Sequence, residues 1–264
     1  MPELSEVEIM TRNVERWVGG RSLVGLVDVD QGLFGSDQQR ASACALKGVA
    51  FGRVWRRGKY LCVEIDDGVL VIHCRMAGKV VRSAGPRRYT RARLVVDDGV
   101  EVLLVDSRRL SNAWFMRRER VNELFEKLGP EPWPMKRDGM WWKQRLAGLS
   151  GAIKPALMRQ DRVAGVGNIL ATEICFVARV DPRSPVPTIS EVQWGRLAEA
   201  VHQCIDSVIE NESGPEIMYV NQGGPSHFLV YGRSGQSCEV CGSIIERFKQ
   251  HGRSTFWCAG CQKL

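Results

Sequence analysis

Several features that would assign a protein to a class are missing from this chain of 264 residues. No apolar run approaches the ~20 residues that a membrane-spanning helix needs, and the sequence contains neither internal repeats nor low-complexity tracts. The N-terminus carries Glu3, Glu6 and Glu8 where a secretory signal peptide needs a basic start and an apolar core. We therefore expect a cytoplasmic protein, nucleoid-associated if bacterial, with no membrane partner.

A disulfide framework is also not expected. Five of the nine cysteines stand singly, mostly in apolar settings, and are interpreted as small buried hydrophobic side chains of a reduced protein: Cys44, Cys62, Cys74, Cys175 and Cys204. The other four lie together near the C-terminus. They require a separate explanation.

The charge balance favours a polyanionic partner. The chain has 37 Lys and Arg against 30 Asp and Glu, a formal net charge of +7. Many basic proteins bind no nucleic acid, so the charge alone leaves this open.

Periodicity divides the chain into segments. Apolar residues at three- and four-residue steps from Leu4 to Trp17, closed by Gly19, predict an amphipathic helix. Residues 21–117 instead show short β-rich runs with turn signals between them, typical of a β-sandwich or barrel. The predicted strands cover 23–30, 47–57, 60–66, 69–74, 78–83, 91–97 and 100–105.

Helical periodicity returns after a proline-rich segment. We predict an α+β protein with a catalytic β-domain at 1–128, a linker at 129–139, a helical domain at 140–228 and a small separate unit at 229–264. The turn Gly165–Asn168 interrupts the helical domain, and such turns present backbone N–H groups that suit phosphates. In isolation, these glycines are explained equally well as helix ends.

The four clustered cysteines have the spacing of a zinc site. Two pairs, each separated by two residues, flank sixteen residues in the pattern typical of a tetrahedral four-thiolate centre: Cys238, Cys241, Cys258 and Cys261. Because the protein fills every position, we predict one structural zinc ion. The intervening basic residues Arg247, Lys249, His251 and Arg253 suit phosphate contacts. A zinc ribbon by itself indicates only a binding module.

The N-terminus offers a nucleophile. Removal of Met1 would expose the secondary amine of Pro2, with Glu3 adjacent as an acid or base. An α-amino group has a pKa of ~7.7–8.0, so part of it is neutral and can form an iminium with an aldehyde carbon. Alone, Met-Pro-Glu is a common start, and the basic turn Arg56–Tyr60 alone is a solvated loop.

Together these features resemble the formamidopyrimidine-DNA glycosylase/endonuclease VIII family from end to end. The resemblance rests on motifs in the family's order: Met1–Glu8, Arg57–Leu61, His73–Gly78, Asp106–Leu110, Ile153–Pro155, Gly165–Asn168, Tyr231–Arg233 and Gly252–Cys258. It implies a β-sandwich, a helix–two-turn–helix domain, a zinc finger and a monomer that acts on damaged duplex DNA.

The resemblance also implies residue roles. Pro2 attacks C1′ and forms a Schiff base that permits β,δ-elimination, Glu3 transfers protons at the sugar, Glu6 is a supporting carboxylate and Lys59 acts near the target phosphate. Lys154, Asn168, Arg253 and Arg91 are assigned to DNA binding. Met76, Arg108 and Leu110 would fill the void left by the extruded nucleotide, Arg108 by bonding the orphaned base. For Met76 and Leu110, a place in the β-domain core is the alternative.

Departures from the family pattern leave the substrate open. Ser5 replaces a usual proline, Leu110 a phenylalanine of the purine branch, Arg159-Gln160 an acidic-Gln pair, and Arg91 often a histidine. The loop at about 207–228 also looks shorter than in the purine branch. We expect action on oxidised or ring-opened purines. The alternatives are an endonuclease VIII-like enzyme for oxidised pyrimidines or another lesion, and a catalytically silent DNA-binding homologue.

Overall fold

A computed structural model describes residues 2–217 and 227–263 of the chain. They form two compact units. The first is built from the residues up to Glu126 together with the segment that starts at Glu212. The second is built from Lys127–Asn211 and the residues that follow the undescribed stretch. Within the described ranges, every helix is too short or too polar to cross a bilayer.

The first unit begins with the predicted amphipathic helix. Helix α1 spans Leu4–Val18 and ends at Gly19. Its apolar stripe is buried because the helix packs on three strands, β2 (Val49–Arg57), β3 (Tyr60–Ile65) and β5 (Lys79–Ser83).

The β-region forms one eight-stranded sheet with the order β5-β7-β6-β1-β2-β3-β4-β8. Its pairs are antiparallel, and β1 joins β2 through only two residue pairs, so the sheet has two halves of four strands. The remaining strands are β1 (Ser22–Val27), β4 (Gly68–His73), β6 (Thr90–Val96), β7 (Glu101–Val105) and β8 (Asn112–Arg117). The seven predicted strands match seven observed strands within a few residues.

Three elements of the first unit were not predicted. These are helix α2 (Asp37–Cys44), strand β8 and helix α3 (Val121–Phe125). Helix α2 buries only Ala43. It therefore has no apolar stripe from which a period could be recognised.

The second unit contains the predicted helices and the C-terminal hairpin. The helices are α4 (Gly139–Arg145), α5 (Ile153–Leu157), α6 (Asn168–Val177) and α7 (Glu191–Glu212), and the hairpin is β9 (Ile245–Gln250) with β10 (Arg253–Cys258). The C-terminal hairpin packs on the helical part of this unit, since Phe176 of α6 shares a core with Val230, Ile245 and Phe256. The predicted domain boundaries stay predictions.

The lesion-side loop also begins later than predicted. Helix α7 continues to Glu212, so residues 207–212 are helical. The segment 213–217 contacts the first unit through Asn13, which donates to the Gly214 carbonyl at 2.6 Å, and through Glu216, which pairs with Lys79 at 2.6 Å. Residues 218–226 of the predicted loop lie outside the described residues.

Candidate active site and nucleic-acid interface

The N-terminal residues are held by the start of helix α1. Glu3 is the N-cap of the helix, and its side chain accepts from the Glu6 backbone. The Glu6 carboxylate in turn accepts from the Glu3 N–H at 2.9 Å, which completes a capping box. Pro2, Glu3 and Glu6 are all buried. The sequence thus places two carboxylates beside Pro2 in one local motif.

Burial changes the acidity of this cluster. Burial and the neighbouring charge of Glu3 raise the pKa of Glu6 to about 7. Burial and then the charge of Glu6 raise the pKa of Glu212, the last residue of α7, to about 7. Sequence reasoning missed Glu212, because no motif distinguishes it from Glu210 nearby in the chain.

Lys59 lies in the turn of the β2–β3 hairpin. Gly58 adopts a left-handed backbone with φ of 55°, which suits a tight turn between paired Arg57 and Tyr60. The guanidinium of Arg56 donates to the Gly58 carbonyl and pairs with Glu8 of α1, both at 3.1 Å. Arg56 therefore attaches the turn that carries Lys59 to helix α1, which begins just after Pro2.

His73, which belongs to the His73–Gly78 motif and has no role assigned from the sequence, lies close to Lys59. Burial, then the charges of Arg75 and Lys59, lower the pKa of His73 to about 4. Its Nδ1 accepts from the Arg75 N–H at 3.1 Å, so the neutral ring carries its proton on Nε2. A neutral imidazole donor thus lies at the end of strand β4, paired with Tyr60, which follows the turn that carries Lys59.

The three void-filling candidates lie on two exposed loops. Met76 and Leu110 are each 42% exposed, which rejects the alternative that they belong to the core. Arg108 is exposed as well. Behind them, the Ser111 hydroxyl lies 3.3 Å from the Cys74 carbonyl and so links the two loops.

Asp106 holds the second of these loops from the interior. Its carboxylate accepts from the backbone N–H groups of Arg108, Leu110 and Ser111 at 2.7–2.9 Å, and from the Ser111 hydroxyl at 2.7 Å. Burial opposes ionisation, but these hydrogen bonds outweigh it and lower the pKa of Asp106. A fully buried carboxylate thus fixes an exposed loop.

Arg91 does not lie where a DNA contact would place it. The residue is 1% exposed, and its Nε pairs with Asp30 at 2.9 Å. A second nitrogen of this guanidinium, Nη1, lies 3.9 Å from the Asp106 carboxylate and 3.4 Å from the Ser111 carbonyl. Its assignment to direct DNA contact is therefore corrected. The family resemblance implied that contact, whereas here the charge is paired inside the protein.

In the second unit, Lys154 and Asn168 form one polar cluster. The ammonium of Lys154 donates to Asn168 Oδ1 at 2.7 Å and to the Thr255 hydroxyl at 2.9 Å, and Asn168 Nδ2 donates to the Ser254 carbonyl at 3.0 Å. Lys154 is 1% exposed. The cluster joins the start of α6 to strand β10, where Arg253 is the exposed first residue.

Gln160 shapes the turn before α6. Its amide donates to the carbonyls of Met158 and Val166, and its oxygen accepts from Gly165, at 2.7–2.9 Å. Gly165 has a φ of 93°, which only glycine adopts freely. The neighbouring Arg159, which stands where the family usually has an acidic residue, forms a surface ion pair with Asp161.

The four C-terminal cysteines fit a tetrahedral zinc ion. Their sulfur atoms all lie within 4.8 Å of one another. The pairs Cys238–Cys261 and Cys241–Cys258 are 3.8 Å and 3.3 Å apart, close to the ~3.8 Å expected for zinc–sulfur bonds of ~2.3 Å. The chain therefore holds one structural zinc ion. The four basic residues between the cysteine pairs are all exposed: Arg247, Lys249, His251 and Arg253.

Comparison with known proteins matches three consecutive family models. Residues 1–113 match the formamidopyrimidine-DNA glycosylase N-terminal domain, residues 128–218 its H2TH domain, and residues 235–264 the zinc finger found in FPG and IleRS. Formamidopyrimidine-DNA glycosylase of Sodalis glossinidius is 34% identical over 99% of this chain and all of its own length. The enzyme of Bordetella pertussis is 34% identical over the full length of both chains.

Solved structures agree. The Lactococcus lactis Fpg bound to DNA with an abasic site superposes with a TM-score of 0.88 at 26% identity, and covers 99% of this chain and 100% of its own. The same enzyme bound to DNA with an oxidized pyrimidine gives 0.88 at 27% identity over all of both chains. The chain therefore belongs to the formamidopyrimidine-DNA glycosylase family.

Proposed function

We propose that this protein is a bifunctional DNA glycosylase and abasic-site lyase of base-excision repair. The observation that carries the proposal is the N-terminal cluster, in which the buried carboxylates of Glu3 and Glu6 adjoin Pro2. Membership of a family of bifunctional glycosylase/lyases supports it. A catalytically silent homologue would have no need of this arrangement.

The chemistry follows from a secondary amine beside two carboxyl groups. After Met1 is removed, the Pro2 nitrogen attacks C1′ and gives up its proton, the glycosidic bond breaks, and the base leaves with the electron pair and takes up a proton. The sugar ring then opens: the C1′–O4′ bond breaks, O4′ takes up a proton as a hydroxyl, and the nitrogen lone pair forms an iminium with C1′. The resulting iminium acidifies C2′, so the 3′ phosphate and then the 5′ phosphate leave by β- and δ-elimination. Glu3 is the proposed proton carrier at the sugar. Glu6, with its pKa of about 7, supplies a carboxyl group that changes charge near neutrality.

The DNA contacts divide between the two units. In the first, Lys59 is proposed to act near the target phosphate, while Met76, Arg108 and Leu110 fill the void in the duplex. Their exposure on two linked loops supports this role. In the second, Asn168 and Arg253 are proposed to bind flanking phosphates. Lys154, which is buried beside Asn168, acts there through its bond to that amide.

For the substrate we propose oxidised or ring-opened purines in duplex DNA. The similar enzymes are named for formamidopyrimidine, and one solved complex of the Lactococcus lactis enzyme contains Fapy-dG. Oxidised pyrimidines are the second candidate, because another complex of that enzyme contains one. We further propose that the protein acts as a monomer in the cytoplasm, where DNA would be accessible to it.

Excision assays separate these substrates. Duplexes that contain 8-oxoguanine, formamidopyrimidine or thymine glycol would be incubated with the full chain, and the cleaved strand analysed for both elimination products. We expect release of both purine lesions with β,δ-products. Activity on thymine glycol alone would exclude the purine proposal, and no activity on any lesion would exclude the glycosylase.

A further inference from the structure

The loop that carries Arg108 and Leu110 is fixed by charges that sequence motifs do not reveal. It is an exposed tetrapeptide, Ser107–Leu110, between strands β7 and β8. Arg109 within it has a φ of 54°, a left-handed backbone that a non-glycine residue adopts only when the surroundings hold it there. What holds this loop decides how well its side chains are placed.

One support of the loop is the Asp106 carboxylate. It accepts three backbone N–H groups of the loop and its C-terminal neighbour Ser111. A buried carboxylate needs a counter-charge, and Arg91, itself 1% exposed, lies 3.9 Å away and also contacts the Ser111 carbonyl.

A second support is Asp30. One oxygen of its carboxylate, Oδ2, pairs both with Arg91 and with Arg109 of the loop. Burial opposes ionisation of Asp30, but the Gly32 N–H, Arg91 and Arg109 together lower its pKa. The planar guanidinium of Arg91 therefore contacts both carboxylates that hold the loop, which a lysine ammonium at this position could not match.

We propose that Arg91 is a positioning residue that fixes the Ser107–Leu110 loop through Asp30 and Asp106 and thereby sets the discrimination among bases opposite the lesion. The inference rests on the proposed function, in which Arg108 bonds the orphaned base. A loosened loop would present Arg108 in several orientations. An opposite base that Arg108 hydrogen-bonds in only one of these orientations would then lose its advantage in excision rate over the other bases.

The test is single-turnover excision of 8-oxoguanine paired in turn with C, A, G and T. Arg91→Lys keeps the charge but loses the two-sided contact, and Asp30→Asn removes one support while the pair of Arg91 with Asp106 remains. The matched control is Arg93→Lys, on the same strand, whose partners Asp28 and Glu101 lie outside the loop.

We expect the ratio between the best and worst opposite base to fall about tenfold in Arg91→Lys, the size of one lost base contact. Asp30→Asn should lower it by several-fold and Arg93→Lys should leave it unchanged. Fluorescence of 2-aminopurine opposite an abasic-site analogue reports the loop directly, and its increase on binding should be smaller in Arg91→Lys. A role in stability alone would shift the Tm without moving either readout.

The outcomes separate the two proposals. A wild type that neither excises a lesion nor forms a covalent adduct with abasic DNA refutes the proposed function. Two outcomes refute the inference but not the proposed function. In the first, the wild type excises the lesion at the same rate opposite all four bases. In the second, Arg91→Lys and Asp30→Asn both keep the ratio between the best and worst opposite base within twofold of wild type. If Arg91→Lys does not fold, the ratio between the best and worst opposite base in Asp30→Asn decides whether the inference holds.

Discussion

The glutamates at the N-terminus show how location changes the chemistry of a residue. Glu6 occupies the third position of α1, where a carboxylate normally stabilises a helix by accepting from the N-cap. Burial beside Glu3 raises its pKa to about 7, so the same side chain also takes up a proton near neutral pH. One residue thus serves both the helix and the proposed reaction.

This shift makes stability depend on pH. The pKa of Glu6 is about 7 when folded against 4.5 as its ordinary value, so the folded state binds the extra proton. Its stabilising effect is complete below pH 4.5 and is lost as the pH rises through 7. We predict a lower free energy of unfolding at pH 8 than at pH 5.5, by on the order of 2–3 kcal/mol from Glu6.

Glu6→Gln provides the comparison, since glutamine can still accept the capping bond. Urea titrations of both proteins at several pH values should show a flatter profile for the variant. Because Glu212 also titrates near 7, the profile of Glu212→Gln should flatten as well. Identical profiles for wild type and Glu6→Gln would contradict the assignment.

At the level of elements, the proposed site depends on contacts between a helix and a hairpin. Pro2 directly precedes the N-cap of helix α1, and the β2–β3 turn carries Lys59. The side chain of Arg56, whose exposure is only 5%, connects them through Glu8 and the Gly58 carbonyl. A displaced turn would move Lys59 relative to Pro2, the proposed nucleophile.

We predict that Arg56→Gln slows strand cleavage at a preformed abasic site by about tenfold, since small misplacements of reacting groups are costly. The effect should fall on kcat rather than on KM. Arg53→Gln is the control, because Arg53 lies on the same strand but stacks on Trp55. Equal cleavage rates for the two variants would show that the connection does not matter.

The second unit makes a similar connection through its buried acid. Glu173 of α6 accepts from the backbone N–H groups of Leu229, Val230 and Tyr231 at 2.8–3.1 Å. Phe176, one turn further along, packs with Ile245 and Phe256 of the hairpin. The zinc finger is therefore part of the helical unit rather than an appendage.

Zinc loss should thus affect more than the finger. We predict that Cys258→Ser loses zinc, and that hydrogen exchange then accelerates at residues 229–231 as well as in strands β9 and β10. The strands of the first unit should keep their protection. Cys44→Ser, outside the cluster, should behave as wild type. Unchanged hydrogen exchange at residues 229–231 would show that the segment held by Glu173 does not depend on the zinc finger.

At the scale of the whole molecule, the sequence predicted the elements whose signals are local. The seven strands with alternating residues, helix α1 and the cysteine spacing all belong to this class. Strand β8 was missed because both of its faces carry large apolar residues, and Trp114 packs on the cluster around Val71 while Phe115 crowds Gly68. Such a run has no period of two to recognise.

Two of the expected DNA-binding residues lie inside the fold. The family resemblance implied DNA contacts for Arg91 and Lys154, but both are buried by partners distant in sequence, Asp30 and Thr255 among them. Glu212 was missed for the same reason, since its significance comes from Glu6. Charge can be read along a chain, whereas its pairing depends on the fold.

The central claim is that the Pro2 amine is the nucleophile. Borohydride reduction on abasic-site DNA converts a Schiff base into a stable adduct, and mass spectrometry locates it. We predict that the wild-type chain is trapped through residue 2, and that Pro2→Gly, which changes that amine and leaves Glu3 and Glu6 in place, is trapped far less. An adduct at Lys59, no adduct at all, or equal trapping of Pro2→Gly would contradict the account.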